Sequence, residues 1–189
     1  MGTRQSIDLQ HFVIRHRITP GPMFTLRCTQ RLLRRIPGAP LSEDAAPTTL
    51  LGDWYANLLF HRPQQIVLCI TERTLLPLIV PAKDAWYLIG HMAKALPELL
   101  SAFAIESTMI QRETSAMRTS AIGATRDRRM LGSLNELVFQ LEHQLRFRPR
   151  LSLFEHSMRL AETPMGLIKS SPDRATQELF EAQSPPRAF

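Results

Sequence analysis

Apolar and polar positions alternate with period two over Met23–Cys28, where Phe24, Leu26 and Cys28 oppose Thr25 and Arg27, and this predicts a strand with one buried face. Thr29 then caps a short helix with Leu32, Leu33 and Ile36 on one side and Arg31, Arg34 and Arg35 on the other, ended by Pro37-Gly38. Pro37 to Thr49 reads as a loop. A second strand follows at Trp54–Phe60, a turn at Arg62-Pro63-Gln64, and a third strand at Ile66–Ile70 that is apolar on both faces. Leu75–Val80 is strand-like but carries Pro77, which places it at a sheet edge.

The period changes at Asp84. Ala85, Leu88, Ile89, Met92 and Leu96 form one helical stripe, extended beyond Pro97 by Leu99, Leu100 and Phe103 as one kinked helix or two. A shorter helix starts with Ser107 as its cap, and Thr119–Thr125 returns as a strand. Arg126–Arg129 reads as a charged loop before a helix opened by Ser133-Leu134-Asn135-Glu136, a capping-box pattern, with Leu137, Val138, Leu141 and Leu145 on its apolar face. Leu151–Ala161 predicts a further amphipathic helix. From Lys169 to Phe189 the chain is Ser, Pro, Gln and charge, a composition that buries too little to offset the entropy of ordering. The expectation is an α+β fold, a small, mostly antiparallel sheet of about four strands packed with four to five helices. Its parts are an N-terminal extension at 1–22, one domain at 23–168 and a disordered tail at 169–189.

Charge adds one feature. The formal net charge is +6, and residues 1–37 hold seven arginines against the single acid Asp8, which accounts for the whole excess. A basic end on a neutral body is either an arm for nucleic acid or membrane or a solvated extension, and residues 1–22 read as the latter or as lying upstream of a native start at Met23. The longest apolar run is too short to span a bilayer, so no membrane is expected. Cys28 and Cys69 are isolated within apolar stretches, without a metal-ligand spacing, and read as buried thiols of a reduced, cytoplasmic protein.

Candidate chemistry is sparse. No nucleophile elbow, zinc-protease helix, phosphate loop or dinucleotide fingerprint is present, which removes any warrant for naming an enzyme and leans against one. His91, His143 and His156 share no metal face and read as surface or boundary residues, so neither metal nor cofactor is expected. Asp53, Tyr55, Asn57 and His61 share parity on the second strand and form a candidate polar sheet face, or serve turn and hairpin geometry. Arg126, Arg128 and Arg129 leading into Ser133 at a helix N-terminus form a candidate anion site, opposed by Asp127 and by Glu136. Arg31, Arg34 and Arg35 form a candidate basic arm.

Leu51-Gly52-Asp53-Trp54-Tyr55-Ala56-Asn57-Leu58-Leu59, Leu131-Gly132-Ser133-Leu134-Asn135-Glu136 and the opening Phe24–Leu33 resemble an uncharacterised bacterial family without assigned function, over roughly residues 23–147. The resemblance implies a shared fold and no activity. Arg128 matches the pattern of that family, whereas Arg129 replaces a small polar residue. The leading expectation is a cytoplasmic binding or regulatory module whose partner is a protein or nucleic acid; the rival is an enzyme or small-anion binder at Arg126, Arg128 and the Ser133 helix end. A third reading gives the motifs only packing and turn geometry.

Overall fold

A computed structural model describes residues 24–36, 46–61 and 63–183. The expected extension at 1–22, the loop at 37–45 and the end of the tail at 184–189 lie outside the described residues. Five strands, β1 (Phe24–Cys28), β2 (Trp54–His61), β3 (Gln64–Thr71), β4 (Pro77–Pro81) and β5 (Ser120–Ala124), form one sheet in the order β4-β3-β2-β1-β5. Among the described residues six α-helices accompany them: α1 (Gln30–Leu33), α2 (Leu88–Ala102), α3 (Ser107–Ala116), α4 (Arg128–Phe147), α5 (Leu153–Ala161) and α6 (Pro172–Glu181). The α+β class stands, with one strand more than expected and a mixed sheet. β2, β3 and β4 pair antiparallel, but β1 runs parallel to both β2 and β5. β5 follows β4 in the chain yet pairs with β1, and nothing in the pattern of a single strand records its direction.

Both faces of the sheet are covered. On one, Phe24, Leu26 and Cys28 of β1 and Trp54, Ala56 and Leu58 of β2 join Leu32, Met92, Leu96, Ile110 and Phe180 in a core beneath α1, α2, α3 and α6. On the other, Tyr55, Leu59, Ile66, Leu68, Ile70 and Ile79 pack against Met130, Leu134, Leu137, Leu141 and Leu145 of α4. This is why β3 is apolar on both faces. α5 lies against β4 and contributes to both cores, through Ala161 on one side and Leu160 on the other. Pro97 sits inside α2, which continues through it as one helix to Ala102.

Two expectations are corrected. The segment from Lys169 carries helix α6, opened by Pro172 in its first turn; Phe180 is 2% exposed, and Thr176 Oγ1 donates to Thr74 Oγ1 at 2.9 Å. Its buried residues Pro172, Thr176 and Phe180 fall one helical turn apart, so a single narrow face suffices to seat it. The helix expected with Ser133 as its cap is capped six residues earlier, at Asp127, which accepts hydrogen bonds from the amides of Arg129 and Met130, so the helix starts at Arg128. The capping box belongs to α5 instead. Ser152 Oγ accepts from the Glu155 amide while Glu155 reaches back to the Ser152 amide at 2.7 Å.

Candidate functional site

The most tightly built region is the entry to β2. Gly52 adopts φ +79°, and a Cβ there would lie 2.9 Å from Glu72 Oε2. The left-handed conformation favours glycine, and a side chain there would also displace Glu72. Glu72 Oε2 accepts from the Asp53 amide, and the Glu72 amide donates to the Asp53 carbonyl at 2.8 Å, tying this turn to the one after β3. Asp53 is 2% exposed. Its Oδ1 accepts from the Thr25 amide at 2.8 Å and its Oδ2 from Arg27 Nε at 2.7 Å. β2 begins opposite Leu26, so Thr25 has no ladder partner on that side, and the Asp53 carboxylate prolongs the sheet by one position while neutralising Arg27. Trp54 follows as a core anchor, 1% exposed.

The polar row on β2 is therefore not an open face. Asp53 is a clamp. Tyr55 lies under α4, and burial pushes its hydroxyl up to about 12, with Arg27 acting against that and Glu72, Asp127 and Asp53 reinforcing it. Asn57 Oδ1 accepts from Thr29 Oγ1 at 3.0 Å, fixing the exit of β1. His61 pairs with Gln64 beside the hairpin, half-buried, at the opposite end from Asp53. Alternation is real, but α4 covers the face it defines.

The arginine group is likewise rearranged. Arg128 and Arg129 are in the first turn of α4, exposed, and Arg129 Nε lies 3.8 Å from Asp127. Ser133 is in the second turn and 7% exposed. Asp127 accepts from the Arg129 and Met130 amides, so two of the amides that a helix N-terminus would offer an anion are already engaged. Arg126 is exposed and lies apart from Ser133 along the chain entering α4.

The third group is left at the surface. Arg31, Arg34 and Arg35 are all exposed, and none makes an ion pair with a carboxylate among the described residues. The Arg31 guanidinium sits 4.0 Å above the ring of Phe60, itself 49% exposed, and Arg35 donates to Gln65 Oε1. The hairpin end of β2 and β3 and the one-turn helix α1 thus present a basic patch with an aromatic platform.

Two buried polar groups were not anticipated. Glu113, 5% exposed on α3, accepts from the Leu50 and Leu51 amides, one on each carboxylate oxygen. Burial raises its pKa, opposed by those two amides and by Arg73 and Arg112. It forms the floor of a cleft of about 310 Å³ rimmed by Thr48, Arg73 and Arg112. His156, read as a surface or boundary residue, is 1% exposed; Nδ1 faces Gln144 Oε1 at 3.1 Å, and Nε2 has no partner among the described residues. Its adjacency to an exposed glutamate concealed that its position falls on the inner face of α5.

Over residues 25–175 the chain matches the family model described as Domain of unknown function (DUF6933). The chain belongs to that family. A search of curated proteins finds no match. The Gly52-Asp53-Trp54 block of this DUF6933 domain is accounted for by the turn, the clamp and the core anchor described above. Burial pushes the Cys28 thiol up to about 12 and the Cys69 thiol well above its ordinary value, so neither is a thiolate nucleophile at neutral pH. Among the described residues no group of three or more His, Cys, Asp or Glu is placed to hold a metal ion, and no helix is long and apolar enough to cross a membrane.

Proposed function

We propose that this DUF6933 protein is a non-catalytic binding module that engages the phosphate backbone of nucleic acid through the basic face of α1. The observation that carries the reading is the exposed triad Arg31, Arg34 and Arg35 with Arg31 stacked on exposed Phe60. Guanidinium groups without carboxylate partners suit phosphate oxygens, and a half-exposed ring beside them offers a stacking surface to a base. The polar row and the arginines of α4 lend less support to a small-anion binder or an enzyme, because Asp53 and Asp127 are already engaged. A reduced cytoplasm is the setting that fits two buried, unpaired thiols.

Fluorescence anisotropy of a labelled oligonucleotide against rising salt tests the proposal. Three phosphate contacts correspond to a slope of log affinity on log salt of about −2 to −3, and the variant R31A/R34A/R35A should flatten it. Absent binding, or binding indifferent to salt, would overturn the reading.

A further inference from the structure

The two edges of the sheet are treated differently. Along β4 the Ala82 amide donates inward to the Gln65 carbonyl, so the backbone groups of residues 77, 79 and 81 face outward. Pro77 and Pro81 have no N–H to offer, and the amide of Ile79 donates to Ser157 Oγ of α5 at 3.0 Å. No free donor remains on that edge. Such blocking is how proteins prevent an unwanted strand from adding to a sheet.

β5 has none of these devices. The Thr125 amide donates to the Cys28 carbonyl at 3.2 Å, which turns residues 121, 123 and 125 toward β1 and leaves Ser120, Ile122 and Ala124 facing outward with both N–H and C=O. β5 ends the sheet, and no strand among the described residues pairs with its outer edge. Its sequence, Ser-Ala-Ile-Gly-Ala, holds neither proline nor charge, and its side chains are small apart from Ile122.

Charge selects the occupant. Arg118 is exposed just before the strand and Arg128 is exposed four residues after it, in the first turn of α4, while Arg129 lies 3.8 Å from Asp127. An antiparallel second copy would bring the Arg118 end of one strand against the Arg128 end of the other, like charge on like. A segment with acidic residues at both ends meets complementary charge at each. We propose that the outer edge of β5 docks an extended, acid-flanked segment of a partner protein, which joins the sheet as an added strand. Backbone bonds to Ser120, Ile122 and Ala124 supply the pairing, while Arg118 and Arg128 select the flanks. This surface is separate from the α1 patch, and its success or failure is independent of nucleic-acid binding.

The test uses the full chain with short synthetic peptides of alternating Thr and Val, flanked by Glu or by Lys. Anisotropy should show the Glu-flanked peptide binding about tenfold more tightly. Amide exchange at Ile122 and Ala124 should slow on binding, whereas Ala121 and Gly123 are already protected by β1. Ala124→Pro, which removes an outward donor, should weaken binding about tenfold. R118E/R128E leaves the strand intact and should reverse the preference between the peptides. Equal affinity for both peptides, no binding of either, or protection confined to other amides overturns the proposal. So does a concentration-dependent dimer in which Ile122 and Ala124 are protected without any peptide, since the occupant is then a second copy.

Discussion

At the scale of single residues, what was legible in the sequence was the type of position more than its bonds. Gly52 and Asp53 read as a turn at a strand entry, and they are one; that Asp53 reaches back across 28 positions to the Thr25 amide depends on parallel pairing, which no local pattern encodes. Gly52→Ala should cost about 2 kcal/mol, combining left-handed backbone strain with displacement of Glu72, as measured by urea unfolding. His156 gives a pH dependence of defined sign. Burial lowers its pKa from the ordinary 6.5, with His61 and Arg159 adding to that and Glu155 opposing it. The unfolded chain therefore holds the proton more tightly. Stability is full above pH 6.5 and is lost as the pH falls through the depressed value of the folded state. The urea midpoint should drop between neutral pH and pH 5 more steeply in the wild type than in His156→Leu, and parallel profiles would remove His156 as the cause.

At the scale of elements, the apolar stripes placed strands and helices well, because periodicity survives folding unchanged. Helix starts were less legible. Ser133 and Glu136 have the spacing of a capping box, yet Asp127 wins the cap, since Met130 and Leu134 continue the buried stripe backward and the helix gains length by starting at Arg128. Asp127→Ala should cost about 1 kcal/mol, whereas Glu136→Ala, at an exposed site in the third turn, should stay within about 0.5 kcal/mol. A larger loss at Glu136 in thermal unfolding would restore the later start. The box in α5 has the same spacing in Ser152 and Glu155, and there the helix begins at Leu153.

At the scale of the whole molecule, composition misjudged the C-terminal segment because a helix that buries little can still complete a larger core. A chain truncated after Ile168 loses the burial of Phe180 and the bond from Thr176 to Thr74. It should be less stable by about 3 kcal/mol, a fall of roughly 10 °C in melting temperature by calorimetry. An unchanged melting temperature would show α6 to be dispensable. The sheet order also bears on the thiols. Cys28 and Cys69 both face Ala56 across β2, two strand spacings apart, about 9.6 Å, too far for a disulfide. Both are inaccessible at the centre of the fold. A thiol reagent can therefore react only with molecules whose central strands have parted. The pair forms an intrinsic clock of sheet opening: if that opening is a single event, both sulfurs will be labelled at one rate, and a lag between them would time the separate departure of β1 and β3.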